Sequence, residues 1–149
     1  MSLKTAHTDL ARSESSVVLH VEDDDGMALL FRMALQNINE AIELHRLTNG
    51  EDAINFLSKE GPYRGAPTPD LIVLDLNLPA KDGFHVLEEI RRLWHLTDVP
   101  AIVFTSSRRD QDRVLALSLG AKSVFQKPDN FDAFVSLAER ICSALIRQQ

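Results

Sequence analysis

The stretch "DLIVLDL" at residues 70–76 constrains the fold most, because Leu71, Ile72, Val73 and Leu74 leave no polar face. Successive strand side chains point to opposite faces, so a run like this must be covered on both sides. Doubly covered sheets are typically parallel, and parallel neighbours need helical crossovers. The rest of the chain supplies the other parts. "SVVLHVE" (16–22), "AIELHRL" (41–47), "VPAIVFTS" (99–106) and "SVFQKP" (123–128) read as four further strands, with "AIELHRL" alternating loosely as an edge strand does. Between them, apolar residues recur at helical spacing, as in Met27, Leu30, Phe31, Ala34, Leu35 and Ile38.

Further helices are predicted in "TNGEDAINFLSK", "FHVLEEIRRLW" and "QDRVLALSLGA", the last ending at Gly120, and a final helix runs from Phe131 to Leu145 after a cap at Asp129 or Asn130. "GPYRGAPTP" (61–69) breaks the second helix with two glycines and three prolines. Five strands alternating with five helices make an α/β domain with a five-stranded parallel sheet and helices on both faces. At 149 residues there is room for one core, taken as residues 16–147, and the polar segment 1–15 is expected to be a mobile tail. Trp94 and the phenylalanines are expected in the core.

A net charge of -6 argues against a nucleic-acid surface, and no apolar stretch is long enough to span a membrane. The one cysteine, Cys142, cannot close an internal disulfide, so a reducing cytoplasm is the expected location. None of the five histidines has metal-ligand spacing, and His20 reads as a packed strand residue. "GAKS" (120–123) lacks the glycines of a phosphate loop, and Ser106 and Ser107 lack a nucleophile elbow.

In an open α/β sheet, ligands bind beyond the carboxyl ends of the strands. Here those ends carry Glu22 and Asp23, Asp75, Thr105 and Ser106, and Lys127 before Pro128. Three carboxylates gathered on one rim are unstable together unless a cation or protons compensate them. Oxygen ligands of this kind suit Mg²⁺, with Mn²⁺ as an acceptable substitute, held by Glu22, Asp23, Asp75 and the backbone carbonyl of Asn77. Lys127 and Thr105 would meet phosphoryl oxygens, and Asp75, opening a loop with Pro79 and Gly83, is placed to attack phosphorus. Asp24 and Asp25 serve instead to start the first helix.

Taken in order, the acidic pair, "DLNLPAKDG", "TSS" and "KP" resemble the receiver domain of two-component response regulators. The resemblance covers residues 16–147 and implies a flavodoxin-like fold with strand order 2-1-3-4-5. It further implies Asp75 as phosphoacceptor, Glu22 and Asp23 as metal-binding pair, Thr105 (with Ser106 beside it) as switch, Lys127 as phosphoryl contact and a cis peptide at Lys127–Pro128. The long turn before "DLIVLDLNLP" is similar to that of the small single-domain regulators associated with bacterial phytochromes. The implied partners are a histidine kinase, of phytochrome or hybrid type, and a downstream protein. A homodimer through the fourth helix, fifth strand and fifth helix stays open, and no output domain is expected after Arg147.

One departure stands out: Val124 occupies the position, three before the lysine, where the family usually has a switching aromatic, and Phe125 follows it. Three other functions compete. A flavin carrier on the same fold would need a phosphate-cradling first loop, which "EDDD" opposes. A Mg²⁺ phosphohydrolase would need an aspartate where Asn77 stands, so phosphoacceptance without sustained turnover is expected. A receiver-like interaction module working without phosphorylation is the remaining alternative.

Overall fold

The computed structural model describes residues 15–147. The strands are β1 (Ser15–Val21), β2 (Ala41–Leu47), β3 (Leu71–Leu74), β4 (Ala101–Thr105) and β5 (Ser123–Gln126). The helices are α1 (Asp25–Gln36), α2 (Gly50–Ser58), α3 (Gly83–Arg92), α4 (Asp110–Ser118) and α5 (Phe131–Arg147). All strand pairs are parallel, in the order β2-β1-β3-β4-β5, as the sequence pattern and the resemblance anticipate. The tail expected at 1–15 lies outside the described residues except for Ser15, which already pairs with Ala41.

The all-apolar β3 explains the two-layered core. Leu71 and Val73 join Phe31, Phe104 and Phe134 beneath α1 and α5, whereas Ile72 and Leu74 join Phe56, Leu57 and Leu87 beneath α2 and α3. Every side chain of β3 is buried, so a polar substitution at any of the four would face an apolar layer. β2 is one edge of the sheet, and its residues are partly covered or exposed.

Side chains cap most helix starts. Asp24 Oδ1 accepts from Met27 N–H at 2.9 Å, Asn49 from Asp52 at 2.8 Å, Asp82 from His85 at 3.1 Å and Asn130 from Ala133 at 2.9 Å. The exception is α4, whose N-cap Arg109 makes no side-chain cap. Gly120, with φ of +107°, follows α4 in the left-handed conformation expected of a helix-ending glycine.

Two aromatic residues correct the expectation of burial. Trp94 is 85 % exposed and Phe131 is 69 % exposed. A single 3₁₀ turn, Trp94–Leu96, follows α3 and turns Leu96 into the core, leaving Trp94 outside. Phe131 stands on the first turn of α5, where the stripe that meets the sheet starts at Phe134.

Candidate functional site

The sheet ladder runs one residue past three of its strands and thereby aligns the polar residues. Glu22 N–H donates to Leu47 O at 2.9 Å, Asp75 N–H to Val21 O at 3.2 Å and Lys127 N–H to Thr105 O at 2.8 Å. Glu22, Asp75, Thr105 and Lys127 therefore share the carboxyl edge of the sheet. Glu22 is 2 % exposed, Asp75 8 % and Thr105 3 %, while Asp23 faces solvent.

Lys127 Nζ donates to Glu22 Oε1 at 2.8 Å and to Asp75 Oδ2 at 3.0 Å. Two nearly buried carboxylates are thus held by one ammonium, which compensates only part of their charge. Burial is the largest influence on both Glu22 and Lys127, and the two respond differently. The Glu22 carboxyl is pushed above its ordinary range, because desolvation outweighs the attraction of Lys127. Desolvation pulls the Lys127 ammonium down, but the hydrogen bonds and charges of Glu22 and Asp75 outweigh it and leave its pKa raised.

Carboxylate oxygens of Glu22, Asp23 and Asp75 all lie within 4.8 Å of one another. Three hard oxygen donors, short of positive charge and with one open to solvent, fit a divalent cation. Asn77 is exposed two residues beyond Asp75, and its backbone N–H donates to Asp75 Oδ1 at 3.2 Å. That bond fixes the carboxylate against the loop from which the Asn77 carbonyl would act.

Thr105 Oγ1 accepts from Ser107 N–H at 3.0 Å, and Ser106 is exposed beside it. No peptide bond among the described residues is cis, which corrects the expectation at Lys127–Pro128. An X–Pro bond favours trans by roughly 0.5–1 kcal/mol, and the ammonium already reaches both carboxylates with the bond trans. The side chains of Asp24 and Asp25 stay out of the cluster, as expected: Asp24 caps α1, its backbone N–H donating to Glu22 Oε2 at 3.2 Å, and Asp25 pairs with Arg46 at 2.8 Å.

Arg46 and Gly50 are contributors that the sequence pattern does not single out, and Gly83, expected as a turn residue, has a second role in close packing. Arg46 donates to the Glu22 carbonyl through Nε at 3.0 Å and Nη2 at 2.9 Å, clamping the end of β1. Its position beside His20 in the β1–β2 register was the available signal, and it needs the strand pairing to be seen. Gly83 lies so close to the end of β3 that an added Cβ would fall 2.4 Å from Asp75 O. Gly50 is packed more closely still, an added Cβ falling 1.7 Å from the Lys81 carbonyl oxygen, where the loop after β3 passes with Ala80 and Lys81 at positive φ.

A parallel sheet of this order, with an acidic cluster, a lysine and a hydroxyl at its carboxyl edge, defines a receiver-type phosphotransfer domain. The chain belongs to the response regulator receiver domain family, whose sequence profile matches residues 18–139. It is a receiver domain of two-component systems. It is 34 % identical over 125 residues to the response regulator Rcp1 of Synechocystis, covering 84 % of this chain and 85 % of that one. The crystal structure of the Mn²⁺-bound form of Rcp1 superposes with a TM-score of 0.82, covering 86 % of this chain and 92 % of the other. The phosphorylated cyanobacterial phytochrome response regulator RcpA superposes with a TM-score of 0.87 at 30 % identity, covering 91 % and 96 %. Among the described residues, no helix is long and apolar enough to cross a membrane.

Proposed function

We propose that Asp75 accepts a phosphoryl group from a histidine kinase and that the resulting aspartyl phosphate switches the binding of a downstream protein. The contact between Lys127 Nζ and Asp75 Oδ2 carries this reading, because it sets a cation where phosphoryl charge would develop. In the transfer, the P–N bond of a phosphohistidine breaks as a P–O bond forms to Asp75, and the released imidazole takes up a proton. Glu22, Asp23, Asp75 and the Asn77 carbonyl would hold Mg²⁺, which supplies further neutralisation of the phosphoryl oxygens when bound. The likeness to Rcp1, crystallised with Mn²⁺, supports a divalent ion of this class. Lys127, already on Asp75 Oδ2, would neutralise further phosphoryl charge, and Thr105 at the end of β4 offers a hydroxyl to the modified aspartate.

The chain works as a phosphoacceptor that assists its own modification and hydrolysis rather than as an enzyme turning over external substrates. A kinase of the phytochrome type is favoured by the likeness to RcpA, a phytochrome response regulator. Incubation with acetyl phosphate tests the chemistry without a cognate kinase. Intact mass is expected to rise by one phosphoryl group with Mg²⁺ and to stay unchanged with a chelator; equal uptake in both would remove the metal from the reaction.

A further inference from the structure

All three guanidinium nitrogens of Arg46 are engaged, and all of them on the acidic segment that follows β1. Nε and Nη2 converge on the Glu22 carbonyl at 3.0 and 2.9 Å, while Nη1 pairs with Asp25 Oδ1 at 2.8 Å. The tie opens at Glu22, closes at Asp25 and so brackets Asp23, the solvent-facing member of the carboxylate cluster. Arg46 is the penultimate residue of β2 and is paired with His20, so the sheet register delivers it to this place. Its neighbour Leu47 accepts the Glu22 N–H at 2.9 Å. Both main-chain polar groups of Glu22 are therefore held from the end of β2, and its side chain accepts from Asp24 N–H at 3.2 Å.

Two effects of Arg46 on the cluster have opposite signs. Its charge, one residue's reach from the carboxylates, repels a cation. Its hydrogen bonds fix the chain on both sides of Asp23, which removes in advance the conformational freedom that a bound ion would have to restrict. The ion pair is the weaker part of the tie, because Asp25 is 92 % exposed. The fork on the Glu22 carbonyl is the stronger part, made by a side chain only 26 % exposed.

We propose that Arg46 is a positioning residue that fixes Glu22 and Asp23 relative to each other for a small divalent ion, and thereby favours Mg²⁺ over Ca²⁺. The proposal rests on the reading of Glu22, Asp23 and Asp75 as the cation site. Mg²⁺ demands near-octahedral geometry, whereas the larger Ca²⁺ accepts irregular and flexible ligand sets. A loosened Glu22–Asp25 segment therefore costs Mg²⁺ more than Ca²⁺. Arg46 acts through the backbone of Glu22 and touches neither the ion nor the reacting atoms.

The test is calorimetric titration of the unphosphorylated protein with Mg²⁺ alone and with Ca²⁺ alone, in the wild type, Arg46→Lys and Arg46→Met. Urea unfolding in chelator reports stability separately, and Arg46→Lys carries the test if Arg46→Met fails to fold. Arg46→Lys keeps the charge and loses the fork; Arg46→Met loses both. Each is expected to weaken Mg²⁺ binding by about tenfold or more, the scale of losing a group that orients a metal ligand. Ca²⁺ binding is expected to weaken less, so the ratio of the two affinities falls in both variants. Mg²⁺ affinity unchanged in Arg46→Lys and raised in Arg46→Met would leave repulsion as the whole effect of Arg46 and overturn the proposal. Equal weakening of both ions, in step with lost urea stability, would mark a merely structural contact and overturn it as well. Wild-type protein that binds Mg²⁺ with no preference over Ca²⁺ would overturn the role of Arg46 alone. Wild-type protein that binds neither ion would overturn the cation site and the role of Arg46 together.

Discussion

His20 offers a prediction whose size follows from its surroundings. It lies in β1 two residues before Glu22, is 4 % exposed, and stacks on Phe31 with ring centroids 4.0 Å apart. Its Nδ1 has no hydrogen-bond partner among the described residues. Burial first, then the charges of Lys127 and Arg46, lower its pKa to about 3 from the ordinary 6.5. The unfolded chain therefore binds a proton on His20 between those two values that the folded chain refuses. Stability from this group is complete above pH 6.5 and is lost as pH falls toward 3, with a slope of about 1.4 kcal/mol per pH unit. Between pH 7.5 and 5.0 the loss amounts to about 2 kcal/mol. His20→Leu fills a similar volume without a titrating ring, and the carboxylates that also respond to acid are common to both proteins. Urea denaturation at the two pH values should show the wild type losing about 2 kcal/mol more than the variant. Equal losses would refute the claim that His20 is held neutral by burial.

Other substitutions separate the parts of the site. Lys127→Met leaves Glu22 and Asp75 without their shared cation and should lower stability by about 3 kcal/mol, partly restored by Mg²⁺, in urea titrations with and without the ion. Gly83→Ala sets a Cβ against the Asp75 carbonyl and should cost about 1–3 kcal/mol while slowing phosphate uptake, read by thermal unfolding and intact mass. Asp24→Ala removes the α1 cap and should cost about 1 kcal/mol with cation affinity unchanged, whereas Asp23→Asn should weaken that affinity by about tenfold or more with little loss of stability. Calorimetric titration of the cation together with unfolding curves distinguishes these two neighbours.

The sheet was legible because β3 carries no polar residue, which forces two covered faces and hence parallel pairing. The site was legible for a related reason: a strand's end is visible in sequence, and Glu22, Asp75, Thr105 and Lys127 each stand at one. Residues acting across the sheet or through backbone atoms were not legible. Arg46 serves Glu22 through a carbonyl, and Gly50 is required by a contact with the Lys81 carbonyl; neither leaves a pattern in its own neighbours. Hydrophobicity alone points Trp94 to the core, while its exposure is set by one 3₁₀ turn after α3. The cis bond at Lys127–Pro128 is implied only by the resemblance, and the bond in this chain is trans.

The proposed switch turns on Asp75 itself taking the phosphoryl group. Mass analysis of the intact protein and its peptides, after acetyl phosphate and Mg²⁺, compares the wild type with Asp75→Asn. One added phosphoryl group in the wild type, mapped to the peptide containing Asp75 and absent from the variant, is the predicted result. Equal modification of the two proteins, or none in a folded wild type with Mg²⁺ present, would contradict it and favour an interaction module that works without phosphorylation.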